Sequence, residues 1–166
     1  GTNVNLSIPI TSRSIADIHK TIARDDIPPS ELSGKSVLVV DDHRINRDII
    51  EKQLTLLKMN VSTCSSGQEA WKLYNEAADH FDLIITDCYM PEMTGFEFTQ
   101  LIRMQESKNK KKSIPIIGFT ANAQTDMVEQ CLVSGMTDCM FKPINIKSLH
   151  QTIYTNLTQF DICIDI

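Results

Sequence analysis

Four places in the chain carry side chains suited to proton or phosphoryl chemistry, and each follows directly on a short apolar run. They are Asp41-Asp42, Asp87, Thr120 and Lys142-Pro143. Three carboxylates gathered at one point repel, and one of them takes up a proton unless a cation sits among them. A hard divalent ion with oxygen ligands meets that need. Mg²⁺ binds through one or two carboxylates while keeping waters that a phosphate can displace. Lys142 adds a compact positive charge able to reach an anion from the far side, and Thr120 adds a hydroxyl donor. A carboxylate nucleophile, a metal, a lysine and a hydroxyl are the parts that transfer of a phosphoryl group to an aspartate needs, because that chemistry is mainly positioning and charge neutralisation.

These groups act together only if the fold brings them to one place. From residue 36 to about residue 158, short apolar runs alternate with segments of helical period, the pattern of an α/β domain with a parallel sheet. Strands are predicted at 37–40, 61–64, 83–86, 114–119 and 138–141, with Pro115 near the start of the fourth. Helices are predicted at 45–57, 68–78, 96–105, 125–133 and 146–157. Strands one, three and four are almost continuously apolar, which suits central strands covered on both faces. Ile49, Ile50, Leu54 and Leu57 mark the apolar spacing of the first helix. Gly67, Gly95 and Gly135 fall at element boundaries, where positive φ is most useful. In a flavodoxin-like doubly wound five-stranded sheet of order 2-1-3-4-5, functional residues lie at the carboxyl ends of the strands, at the reversal between strands one and three. That rule puts Asp41, Asp42, Asp87, Thr120 and Lys142 on one edge.

Composition narrows the partners. Sixteen Lys and Arg against 21 Asp and Glu give a net charge of −5 over 166 residues, so no global positive field holds nucleic acid or an anionic membrane surface. No apolar run approaches the ~18 residues of a membrane span, and no signal segment opens the chain. The five cysteines are odd in number and lack Cys-x-x-Cys or Cys/His spacing, which argues for reduced, buried thiols of a cytosolic domain rather than a disulfide framework or zinc site. Cys88 has no neighbouring cation in sequence and reads as an unreactive thiol. The lysine-rich run 107–113 reads as a solvated loop. His43 reads as a solvated loop residue, and His19, followed by Lys20, as linker. Val4, Leu6, Ile8 and Ile10 alternate like a strand without a partner, and Pro28-Pro29 closes the stretch after it. The expected division is a remnant of a preceding domain at 1–10, a linker at 11–34, the α/β domain at 35–158 and a tail or linker to a following domain at 159–166. A first residue that is Gly rather than Met fits a piece of a longer protein.

The run Val-Leu-Val-Val-Asp41-Asp42, then Ile-Ile-Thr-Asp87-Cys-Tyr-Met90-Pro91-Glu-Met-Thr-Gly95, then Ile-Pro-Ile-Ile-Gly-Phe-Thr120-Ala121, then Phe-Lys142-Pro143 resembles the receiver domain of two-component response regulators. The resemblance implies that Asp87 is the phosphoacceptor. It further implies that Asp42, Asp87 and the backbone carbonyl of Tyr89 bind Mg²⁺, with Asp41 acting largely through water. Lys142 would contact the phosphoryl group, usually with a cis bond to Pro143, and Thr120 would close over it. The implied donor is a phosphohistidine on a histidine kinase core or a histidine phosphotransfer domain, in the same or another chain. Neither nucleic acid nor direct membrane contact is expected. The domain itself would be an acceptor with at most weak autophosphorylation and autodephosphorylation. A new dianion on Asp87 would favour a conformer in which the Thr120 hydroxyl moves inward and the face of the fourth helix, fifth strand and fifth helix repacks. Cys139 stands where the family usually carries Tyr, Phe or His, so an aromatic-coupled output switch does not carry over. Tyr89 and Asn122 occupy positions that tune acyl-phosphate lifetime.

The leading Gly1-Thr2-Asn3-Val4-Asn5-Leu6-Ser7-Ile8-Pro9-Ile10 is similar to the last strand of a histidine kinase ATP-binding domain. This implies a hybrid sensor kinase, anchored in the inner membrane with this part in the cytoplasm. Rival readings are weaker. A haloacid dehalogenase-type phosphohydrolase wants a second Asp two residues after its nucleophile, where this chain has Tyr89. A flavodoxin wants a hydroxyl-rich phosphate loop after the first strand, where this chain has Asp41-Asp42. An inert docking module would not need the complete cluster.

Overall fold

The computed structural model describes residues 31–77, 80–123 and 125–162. The expected strand at 1–10 and most of the expected linker lie outside the described residues. The chain runs β1 (Ser36–Val40), α1 (Arg44–Leu56), β2 (Asn60–Cys64), α2 (Gly67–Ala77), β3 (Leu83–Asp87), α3 (Gly95–Asn109), β4 (Ile116–Thr120), α4 (Thr125–Val133), β5 (Asp138–Phe141) and α5 (Ile146–Ile162). The five strands form one parallel sheet in the order β2-β1-β3-β4-β5, as the sequence predicts. β1 is the hinge of the winding, with Val37 registered on Val61 at one side and on Leu83 at the other.

All residues of β1, β3 and β4 are buried, as expected of strands covered on both faces. Successive side chains point to opposite faces and build two cores. Val37, Val39, Leu83 and Ile85 meet Ile50 and Leu54 of α1 and Leu149 and Ile153 of α5. Leu38, Val40, Ile84 and Ile116 meet Tyr74 of α2, Phe98 and Ile102 of α3, and Met127 and Cys131 of α4.

Four details depart from the sequence reading. Pro115 precedes β4 rather than lying inside it, and its carbonyl accepts from Ile84 N at 3.0 Å. Helix α1 buries Ile50 and Leu54, and Leu57 is buried just past its end, but Ile49, about 100° round the helix from Ile50, is left 48% exposed. Ile49, Ile45 and Leu56 instead form a second apolar stripe facing solvent. Helix α3 runs to Asn109 rather than 105, ending in a left-handed Lys110 with φ 51°, so the lysine-rich loop is shorter than expected. Helix α5 runs to Ile162 rather than 157.

At the opposite end from the carboxylates, buried Glu106 accepts from Arg103 Nη1 and from Ile114 N, both at 2.7 Å, while Arg103 also donates to the carbonyls of Gly135 and Ile114. The pairing satisfies a carboxylate that would otherwise be costly to bury. Among the described residues, no helix is long and apolar enough to cross a membrane.

Candidate functional site

Asp41 leaves β1 and Asp87 closes β3, the two adjacent strands at which the winding reverses. Asp41 is fully buried and Asp87 nearly so. The Lys142 ammonium, delivered just beyond β5, donates to Asp41 Oδ2 at 2.7 Å and to Asp87 Oδ2 at 2.6 Å. It also lies over the Phe119 ring at 4.9 Å, and its peptide bond to Pro143 is cis. Asp41 Oδ1 accepts from His43 N at 2.8 Å, and Asn46 Nδ2 lies 3.3 and 3.2 Å from the two Asp41 carboxylate oxygens. Arg47 donates to the Asp41 carbonyl at 2.6 Å. Asp87 Oδ1 accepts from Tyr89 N at 3.1 Å.

Asp42 is half-buried beside this pair and takes a 2.8 Å contact from His43 Nδ1. Ligand atoms of Asp41, Asp42, His43 and Asp87 all lie within 4.8 Å of one another. His43 is therefore part of the cluster, although its side chain is 72% exposed as expected of a loop histidine. Sequence reading also passed over Asn46 and Arg47. Their signal is the first turn of α1, which begins three residues after Asp41 and so points its polar side chains back at the strand end.

Burial pushes the Asp87 carboxyl above its ordinary value, against the Lys142 hydrogen bond and the Tyr89 N–H that favour its charged form. Burial works the other way on Lys142, but its bonds to Asp41 and Asp87 outweigh that and hold the ammonium above the ordinary lysine value. The Lys142 ammonium is shared between two of the three carboxylates, so the cluster keeps an excess of negative charge. The donor set is mostly hard carboxylate oxygen, which fits a divalent ion of the Mg²⁺ kind.

Thr120 ends β4 and is buried, with its Oγ1 accepting from Asn122 N at 3.1 Å and its carbonyl from Lys142 N at 2.8 Å. Asp87 registers with Phe119 and Thr120 with Phe141, so the hydroxyl and the lysine follow the acidic pair along the same sheet edge. Tyr89 is 53% exposed, with its ring edge-on to Phe96. Gly95 belongs to the site for a reason other than the predicted positive φ. The loop after Asp87 folds back so tightly that Gly95 N donates to the Cys88 carbonyl, and a Cβ on Gly95 would overlap the Asp87 carbonyl. Gly135, by contrast, has the expected positive φ of 98°.

Known proteins share this fold. Residues 37–154 match the family model described as the response regulator receiver domain. The sensor protein EvgS of Escherichia coli K12 is 38% identical over 150 residues, which is 90% of this chain and 12% of EvgS, so the chain spans about an eighth of that relative. The receiver domain of the sensor histidine kinase PA1611 of Pseudomonas aeruginosa, solved with a magnesium ion coordinated in its active-site cleft, superposes with a TM-score of 0.65 at 31% identity, covering 76% of this chain and 99% of that one. In the Saccharomyces cerevisiae complex of the histidine phosphotransfer protein Ypd1 with the receiver domain of Ssk1, the matching chain gives a TM-score of 0.70 at 28% identity, covering 78% of this chain and 92% of that one. The match runs from β1 into α5 and takes in every strand and each member of the carboxylate–lysine cluster, and on that ground the chain belongs to the response regulator receiver domains.

Proposed function

We propose that this chain is the phosphoacceptor of a phosphorelay, taking a phosphoryl group from a phosphohistidine onto Asp87. The observation that carries the reading is the Lys142 ammonium held between two buried carboxylates whose charge it only partly neutralises. A carboxylate oxygen of Asp87 attacks phosphorus, the P–N bond of the phosphohistidine breaks, and its electron pair leaves with the imidazole. Lys142 stays anchored to Asp41 and offers its remaining donor capacity to the phosphoryl oxygens. The Tyr89 N–H orients Asp87, and the Thr120 hydroxyl donates to the transferred group. Mg²⁺, held by Asp42, Asp87 and the Tyr89 backbone carbonyl with Asp41 through water, would supply charge neutralisation for the phosphoryl oxygens.

The partner is a histidine kinase core or a histidine phosphotransfer domain. Ile45 and Ile49, exposed on α1 directly after the acidic pair, give it an apolar surface beside the nucleophile. Similarity to sensor kinases supports a hybrid kinase parent, anchored in the inner membrane with this domain on its cytoplasmic side. The division into a kinase remnant at 1–10, a linker at 11–34, the receiver at 35–158 and a tail at 159–166 belongs to the same reading.

Intact mass after incubation with phosphoramidate and Mg²⁺ tests it. A gain of about 80 Da that disappears in Asp87→Asn and with EDTA is the expected result. A folded, Mg²⁺-loaded sample that gains nothing, or that gains the same mass without Asp87, overturns it.

A further inference from the structure

The residue after the nucleophile turns away from the carboxylates. Cys88 points into the face of the sheet covered by α2, α3 and α4, and its Sγ lies 3.7 Å from Cys131 Sγ on α4. Both thiols are fully buried. They meet over Gly118 of β4, where a Cβ would stand 3.1 Å from Cys88 Sγ, 3.0 Å from Cys131 Sγ and 2.7 Å from Met136 Sδ. The missing side chain at Gly118 makes room for the sulfurs to converge. Cys139 registers with Gly118 on β5 and is the one partly exposed thiol of the three. Either thiol can donate to the other across the Cys88–Cys131 contact, while the Cys139 thiol lies 4.0 Å from the Met140 carbonyl.

We propose that Cys88 and Cys131 form a reversible disulfide that pins α4 to the end of β3. With hydrogen peroxide as oxidant, one sulfur of the pair attacks a peroxide oxygen, the O–O bond breaks, one water leaves and that cysteine becomes a sulfenic acid. The other thiol then attacks that sulfur, the S–O bond breaks and a second water leaves. Two thiols and one peroxide thus give one disulfide and two waters. Side-chain rotation closes the sulfurs from 3.7 Å to the roughly 2 Å of a bond. Cys88 follows Asp87 directly, so the bond ties the acceptor loop to a helix on the far side of β4. The bond stands on the sulfur geometry alone, and only its effect on phosphoryl signalling rests on the reading above.

The test uses the chain as it is, treated with hydrogen peroxide under native conditions. Expected are a loss of about 2 Da that dithiothreitol restores, a Cys88–Cys131 linked peptide on digestion, and amide exchange in α4 slowed about tenfold. Cys139→Ser keeps the link and Cys131→Ala loses it. Asp87→Asn forms the same bond, so a failure of the phosphoacceptor reading leaves this result unchanged. No loss of mass, a link through Cys64, Cys139 or Cys163, stable oxygen adducts in place of a link, or a link without slower exchange in α4 would overturn the proposal.

Discussion

At Lys142 one ammonium serves two buried carboxylates, and removing it leaves both without their cation. Lys142→Ala is therefore expected to cost about 3 kcal/mol of stability, since breaking a buried pair costs more than the pair contributes. The same variant should slow phosphoryl uptake from phosphoramidate about 100-fold, the scale of losing one preorganised donor to a developing charge. Urea unfolding and single-turnover mass spectrometry check the two effects separately. Asp87 carries the opposite sign. Burial raises its pKa above the unfolded value, so in the window between the two the native state holds more protons than the unfolded state. Its contribution is favourable at low pH and is lost as pH rises through that window. In EDTA, Asp87→Asn should gain stability over the parent as pH rises from about 4 towards neutrality. Paired urea curves showing a constant gap across that range would refute this account of the site.

At the level of elements, the loop from Asp87 to Gly95 and the first turn of α3 keep Asp87 in place. Thr94 and Glu97 form a capping box there, with Thr94 N donating to Glu97 Oε2 at 2.8 Å and Glu97 N to Thr94 Oγ1 at 3.2 Å. The Thr94 N–H holds the exposed Glu97 carboxyl below its usual value. Thr94→Ala should cost about 1 kcal/mol, the usual worth of an N-cap. Gly95→Ala should cost about 2 kcal/mol or more, because the added methyl meets backbone rather than a yielding side chain. Helix α1 supplies a test of a different kind. Ile49 is half out of the core, so Ile49→Asp should change stability by no more than about 0.5 kcal/mol. It should nonetheless slow transfer from a phosphohistidine protein about tenfold while uptake from phosphoramidate is unchanged. Equal loss with both donors would mean that the stripe acts on the site and not on docking.

For the molecule as a whole, the site is a concentrated excess of negative charge within a chain whose net charge is already −5. A divalent ion bound only by the folded state must stabilise it. At ten times its dissociation constant Mg²⁺ should add about 1.4 kcal/mol. Melting curves with and without Mg²⁺ should show the shift in the parent and a smaller one in Asp42→Asn, whose side chain stands at the open side of the cluster. A shift of equal size in both would place the ion elsewhere.

The architecture was legible because its signals are local. Continuous apolar runs at β1, β3 and β4, helical spacing between them, and polar residues at strand ends are enough to imply a doubly wound sheet and to name Asp41, Asp42, Asp87, Thr120 and Lys142. What stayed hidden depends on direction and distance between segments far apart in sequence. Periodicity alone left Ile49 on the same stripe as Ile50, and only packing against the sheet turned one in and the other out. Gly95 is required by the approach of Asp87's own carbonyl, which no turn signal announces. His43, Asn46 and Arg47 became part of the site when α1 started on the strand end. The convergence of Cys88 and Cys131, 43 residues apart, needed Gly118 on a strand between them. Residue types and their order are set along the chain, whereas which side chain faces which is set by close packing in three dimensions.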